Sequence, residues 1–204
     1  MKIAIIGAGN VGGALAVQWQ KAGHSVVIGS RDANSPKVQK VVSQRSDIAV
    51  MSIPDAVRQA DAILVATPPA VIFDLIAQFG DLTGKVVIDA TNAIRQKPDP
   101  YPTVFHAVAA ETKTEVVKCF NSTGFENMQN PVYDGTGIDM FMAGDSDKAK
   151  AVAAQLAKDA GFGECWDFGK SDKVELLEQF ALSWINLAIM QGHGRNIAFR
   201  LVKR

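Results

Sequence analysis

Lys2-Ile3-Ala4-Ile5-Ile6-Gly7-Ala8-Gly9-Asn10-Val11-Gly12 opens with a short apolar run that stops abruptly at glycines. Lys2–Ile6 reads as a strand buried on both faces, and Gly7–Gly12 fits the pattern G-x-G-x-x-G. A helix is predicted over Asn10–Ala22 with Gly23 at its end, then a second strand over Ser25–Gly29. In that context the three glycines do different things. Gly7 permits the tight turn, Gly9 lets a pyrophosphate approach the backbone, and Gly12 lets helix and strand pack closely. The helix N-terminus adds unpaired N–H groups, and Asn10 and Val11 stand at that end. The segment reads as a dinucleotide cradle.

The end of the second strand chooses between dinucleotides. An NAD site places Asp or Glu there to accept from the ribose 2′-OH. This chain has Ile28-Gly29-Ser30-Arg31-Asp32. Ser30 stands at the acid's place, and Arg31 follows as a planar fork suited to a 2′-phosphate. A shift of one residue would bring Asp32 into the acid's position, and Arg31 would then be an ordinary surface arginine. The order of residues favours NADP over NAD.

Outward from this unit, Val- and Ile-rich runs alternate with helical patterns. Strands are predicted at Ile48–Met51, Ala62–Ala66, Val86–Ala90, Glu115–Phe120, Asp139–Ala143 and Gly163–Phe168. Helices are predicted at Pro54–Ala60, Pro69–Phe79, Pro102–Glu111, Ser146–Ala160 and Lys173–Met190. Parallel strands need helical crossovers, so the alternation predicts an α/β fold: a doubly wound, Rossmann-type, mostly parallel sheet with a C-terminal helical appendage. The division expected is 1–168 for the nucleotide-binding domain and 169–204 for a helical segment packed on it. In that segment Leu177, Phe180, Ala181, Trp184 and Ala188 form an apolar stripe at helical spacing. It reads first as core, with a homodimer seam or an acceptor wall as the alternatives.

Composition narrows the class. The chain has 204 residues, 21 Lys+Arg and 21 Asp+Glu, so it lacks the basic surplus that nucleic-acid binding needs. Its two cysteines, Cys119 and Cys165, make neither a disulfide framework nor a zinc pattern and suit a reducing, cytoplasmic setting. The longest late apolar run, Phe180–Met190, is too short to span a membrane.

Ligands of open α/β sheets lie beyond the carboxyl ends of the strands. Three such ends carry polar groups: Ala66-Thr67-Pro68, Thr91-Asn92-Ala93 and Asn121-Ser122-Thr123. Ala66, Thr67 and Pro68 are candidates for the nicotinamide, and Asn92, Asn121 and Ser122 for the substrate. Each would also serve as a local turn or cap residue. No acid/base set stands out. None of His24, His106 and His193 is assigned a catalytic role, and neither Tyr101 nor Tyr133 has Lys four residues on. Hydride transfer to a flavin-like ring is carried by cofactors and asks the protein for orientation, whereas ketone reduction asks for a proton donor.

Together, Ile6–Gly12 (IGAGNVG), Gly23–Asp32 (GHSVVIGSRD), Asp61–Pro68 (DAILVATP), Val117–Asn127 (VKCFNSTGFEN), Phe141–Asp145 (FMAGD) and the helix around Leu176–Met190 resemble the NADP oxidoreductase family dependent on the deazaflavin coenzyme F420. The resemblance runs over nearly the whole chain. It implies hydride exchange between NADPH and a flavin-like or deazaflavin acceptor, with pyrophosphate contacts at Gly9, Asn10 and Val11. It also implies 2′-phosphate contacts at Ser30 and Arg31, and nicotinamide contacts near Thr67 and Pro68. At the acceptor site the chain departs from the family's pattern: Asn121 stands where members carry a histidine. The opening Gly7–Leu15 also resembles pyrroline-5-carboxylate reductase, whose long helical C-terminal domain has no counterpart in the 36 residues after Phe168. Imine reduction and a non-catalytic NADP(H)-sensing module are the competing readings.

Overall fold

The computed structural model describes residues 1–204. Its first elements are β1 (Lys2–Ile6), α1 (Asn10–Lys21), β2 (Ser25–Gly29), α2 (Pro36–Gln44), β3 (Ala49–Met51), α3 (Ile53–Gln59), β4 (Ala62–Val65), α4 (Ile72–Phe79) and β5 (Val86–Asp89). There follow α5 (Val104–Thr112), β6 (Glu115–Cys119), α6 (Phe125–Gln129), a hairpin of β7 (Val132–Tyr133) and β8 (Thr136–Gly137), β9 (Met140–Ala143), α7 (Asp147–Asp159), β10 (Cys165–Asp167) and α8 (Val174–Ile185). Eight strands form one sheet in the order β10-β9-β6-β5-β4-β1-β2-β3. β1 pairs in parallel with both β2 and β4, so the chain reverses its direction of travel across the sheet between β1 and β4. That is the switch point where such folds open a crevice.

The continuous apolar strands are explained by two covered faces. Alternate residues of β1 go to opposite sides: Ile3 and Ile5 join a core with α1, α2 and α7, while Ala4 and Ile6 join a core with α3, α4, α5 and α8. On the first side the Trp19 indole N–H donates to the Leu156 carbonyl at 2.8 Å, tying α1 to α7. No helix is long and apolar enough to cross a membrane.

Several features go beyond the sequence reading, among them α6 and the β7–β8 hairpin, which it lacks. The helix α2 has no counterpart in it, because only Val38 and Val41 of its nine residues are buried; Pro36 at its first position starts it. β9 runs antiparallel to β6, since α6 and the hairpin keep the chain at one end of the sheet and the next strand starts from there. The final helix is not uniform from Lys173 to Met190. A 3₁₀ turn at Ser171–Lys173 precedes α8, and a π turn at Asn186–Met190 ends it. The wider turn buries Ala188 and leaves Ile189 and Met190 exposed.

Trp184 of α8 is 3% exposed, and its indole N–H donates to the Ile197 carbonyl at 2.7 Å. The indole is therefore packed inside the protein, with an edge that also lines a cavity described below. Losing a buried Trp costs about 3–5 kcal/mol, before any penalty for an unpaired carboxylate. Trp184→Glu is expected to lower the thermal midpoint by on the order of 10 °C. Differential scanning calorimetry checks this, and a variant melting like the parent would return the residue to a surface role.

Candidate functional site

Because Ile6 of β1 and Val65 of β4 are register partners, the loops after both strands emerge side by side. Gly7 has φ +109°, and a Cβ there would lie 2.5 Å from the Ala66 carbonyl oxygen. A Cβ on Gly12 would lie 2.0 Å from the Gly7 carbonyl oxygen. Above Gly9 nothing lies within 4 Å of an added Cβ, so the backbone is open to an approaching group. Gly9 is the N-cap of α1 and offers no side chain to the first amides, and the first turn holds no acid. The open backbone and the unopposed amides of this helix end fit a pyrophosphate.

At the end of β2, the Ser30 amide donates to the Met51 carbonyl at 3.0 Å, and the Ser30 hydroxyl donates to the Asp32 carbonyl at 2.8 Å. The Asp32 carboxylate accepts from the Asn34 amide at 2.8 Å and closes its own turn. A cavity of about 310 Å³ gathers Gly7, Ser30, Arg31, Lys37, Thr67 and Pro68, and Asp32 is not among its lining residues. The cavity's charged groups are thus two cations, which suits a phosphate better than a bare ribose. Lys37 is a residue the sequence reading missed. It sits in the first turn of α2 and also lines a smaller cavity beside Gly9 and Asn10. Its signal is Ser35-Pro36 as a helix start just after Arg31, which goes unread once α2 itself goes unread.

Beyond Asn10 and Val11 opens a cavity of about 650 Å³. Its polar floor is Asn92 and Asn121, joined reciprocally: the Asn92 amide donates to the Asn121 carbonyl at 3.0 Å, and the Asn121 amide donates to Asn92 Oδ1 at 2.9 Å. Phe120, at φ +61°, makes the turn that presents Asn121. A bulky residue rarely adopts this conformation, and here Phe120 is fully buried with its ring edge-to-face with Trp19 at 5.4 Å. The opposite wall is apolar and comes from the C-terminal segment: Trp184, Ile185, Ile189 and Met190.

Of four buried side-chain oxygens with no hydrogen-bond partner, Thr91 Oγ1 and Glu126 Oε2 belong to residues that line neither cavity, while two lie at the candidate site, Thr67 Oγ1 beside Gly7 and Asn121 Oδ1 at the floor. A buried acceptor left unmade costs about 1–3 kcal/mol, so both fit a donor on a ligand such as a nicotinamide carboxamide or a ring N–H. Ser122 is not brought to the cavity. It is 2% exposed and its hydroxyl lies 3.7 Å from the Met140 sulfur, because successive side chains after Phe120 alternate between cavity and core. None of the three histidines lines either cavity.

Beneath the floor lies a charged cluster that the sequence reading also missed. Asp89 and Lys118 are register partners on β5 and β6, and both side chains are fully buried. Lys118 Nζ donates to Asp89 at 2.9 Å, to Glu178 of α8 at 2.5 Å and to the Thr91 carbonyl at 2.5 Å. Burial pushes the Glu178 carboxyl up from its ordinary range, against the pull of Lys118. The available signal is a charge at or next to the last position of each of two strands with apolar middles, Asp89 and Lys118, together with an acid within the apolar stripe of the last helix.

The sequence profile of the family described as NADP oxidoreductase, coenzyme F420-dependent, matches residues 2–93. The F420-dependent NADP reductase of Methanothermobacter thermautotrophicus is 31% identical over 221 aligned residues, covering 98% of this chain and 94% of that protein. A crystal structure from Arthrobacter sp. FB24, described there as a candidate F420-dependent NADP-reductase, has a TM-score of 0.86 at 24% identity and full coverage of both chains. The imine reductase of Streptomyces aurantiacus, with a TM-score of 0.66 at 14% identity, covers 94% of this chain but 62% of that one, and shares the fold alone. By its whole-chain identity to the Methanothermobacter reductase, the chain belongs to the coenzyme F420-dependent NADP oxidoreductase family and is an NADP-dependent oxidoreductase.

Proposed function

We propose that the protein exchanges a hydride between NADPH and an anionic flavin-like or deazaflavin ring seated in the Asn92–Asn121 cavity. The observation that carries this reading is the character of that cavity. It begins at Asn10 and Val11 of the glycine loop, has an aromatic and aliphatic wall, and its charged lining residues are Arg95 and Arg195, of which Arg195 is paired with Glu126 and Arg95 is left for an anion. A planar apolar ring with a negatively charged substituent matches such a lining. No carboxylic acid, histidine, lysine, tyrosine or cysteine lines it, which suits a reaction that asks the protein for orientation and not for a proton. The F420-dependent activity named for the Methanothermobacter reductase supports a deazaflavin as the acceptor.

NADPH, when bound, supplies the hydride. In this reading the backbone at Gly7, Gly9, Asn10, Val11 and Gly12 holds the pyrophosphate, and Ser30, Arg31 and Lys37 hold the 2′-phosphate. Ala66, Thr67 and Pro68 border the nicotinamide, and Asn92 and Asn121 orient the acceptor ring. The chain works in two parts, residues 1–168 for the dinucleotide and 169–204 for the acceptor wall. Self-association belongs to the same proposal, since Leu187, Ile189 and Met190 are exposed apolar side chains, the last two of them on the cavity, and light scattering reports on it. A cytoplasmic setting is supported by the low cysteine content.

Stopped-flow oxidation of bound NADPH by deazaflavin, FMN, FAD and ferric chelates tests the acceptor. Fast single-turnover oxidation by the anionic deazaflavin is expected, with ferric chelates inert. Tight NADPH binding with no oxidation by any ring would defeat the proposal.

A further inference from the structure

We propose that the buried Lys118–Asp89–Glu178 cluster is a positioning device that locks α8 to the loop carrying Asn92, and so holds the acceptor cavity in shape. The inference rests on the acceptor reading of that cavity. Every donor of the Lys118 ammonium is used, on Asp89, Glu178 and the Thr91 carbonyl. The remaining carboxylate oxygens reach the same loop: Asp89 Oδ1 accepts from the Thr91 amide at 2.8 Å, and Glu178 Oε2 accepts from the Ala93 amide at 2.8 Å. The cluster therefore grips the backbone on both sides of Asn92, whose side chain in turn holds Asn121. One turn beyond Glu178, α8 supplies Ala181, Leu182 and Trp184 to the opposite wall. Floor and wall are thus referred to a single point.

Stability alone explains such a cluster poorly. Three ionisable groups taken out of water gain little over well-packed apolar side chains of the same volume, although removing one partner is costly. What an apolar trio cannot supply is direction: five hydrogen bonds that fix the 91–93 backbone relative to α8.

Glu178→Gln keeps the shape, leaves Lys118 and Asp89 as a balanced pair, and converts one accepting oxygen into a donor that cannot serve Ala93 or Lys118. Misplacing a reacting group by about 1 Å can cost on the order of 100-fold, so acceptor kcat/KM is expected to fall at least ~10-fold while NADPH affinity stays at the parent value. Leu156→Ala, in the core on the other face of the sheet, supplies a control of lowered stability that retains acceptor kcat/KM. Should Glu178→Gln not fold, Asp89→Asn/Lys118→Met/Glu178→Gln, which holds no buried charge, replaces it with the same loss expected. Unchanged acceptor kcat/KM in the folded variant, an equal loss in Leu156→Ala, or a parallel loss of NADPH affinity would each overturn the proposal. Hydrogen exchange separates this from failure of the acceptor reading. Faster exchange at the Thr91 and Ala93 amides, with the glycine loop unchanged, is expected even if the parent oxidises NADPH with no ring acceptor, and unchanged exchange there refutes the lock.

Discussion

Gly12→Ala is expected to abolish NADPH binding at ordinary cofactor concentrations and to lower the thermal midpoint. The added methyl would sit 2.0 Å from the Gly7 carbonyl oxygen and 3.2 Å from both the Gly7 carbonyl carbon and Ile5 Cγ2. Two of these atoms are backbone, so no side-chain rotation relieves the contact, and α1 has to move away from β1. Overpacking of this kind costs about 1–3 kcal/mol or more, and the displaced helix end withdraws its N–H groups from the pyrophosphate. Each ~1.4 kcal/mol is tenfold in affinity, so the two effects together correspond to a loss of roughly 100-fold or more. Gly9→Ala separates the causes. Its methyl meets nothing within 4 Å, so the melting temperature should hold while NADPH affinity falls. Isothermal titration and calorimetry on the two variants check this, and a Gly12→Ala protein binding NADPH like the parent would remove the glycine loop from the cofactor site.

Arg31→Ala is expected to weaken NADPH roughly 10- to 150-fold and to leave NADH nearly unchanged. The range follows from about 1.5–3 kcal/mol for a charge-assisted hydrogen bond. Arg31 is exposed at the mouth of the cavity that also holds Ser30 and Lys37, while the neighbouring carboxylate of Asp32 is occupied by the Asn34 amide. Removing the guanidinium therefore takes away a cation without freeing an acid for the ribose hydroxyl. Lys37→Ala should act in the same direction. Fluorescence titration with both dinucleotides decides the matter: equal losses for NADPH and NADH would sink the 2′-phosphate assignment.

The parts of the protein that can be read from consecutive residues are those whose physics is local. The strand, glycine turn and helix of Lys2–Lys21 follow from apolar periodicity and from glycines where the chain turns tightly and packs closely, and the Ser30-Arg31 pair follows immediately from the end of β2. The parallel pairing of β1 with its neighbours follows from strands too apolar to face water and from helices between them. The half proposed for the acceptor is otherwise. Asn92 meets Asn121 across 29 positions, Lys118 meets Glu178 across 60, and Glu178 meets Ala93 across 85. No spacing rule joins such residues, because only the strand order and the docking of α8 bring them together. Asn121 and Ser122 are neighbours with similar side chains, yet one faces the cavity and the other the core, a choice made by the left-handed turn at Phe120. Order along the chain is enough to specify a nucleotide-binding α/β sheet, since its signals lie within single elements and at their ends. The cavity proposed for an acceptor takes shape only on folding, since the amides of its floor and the charges beneath it are set face to face by the folded chain alone.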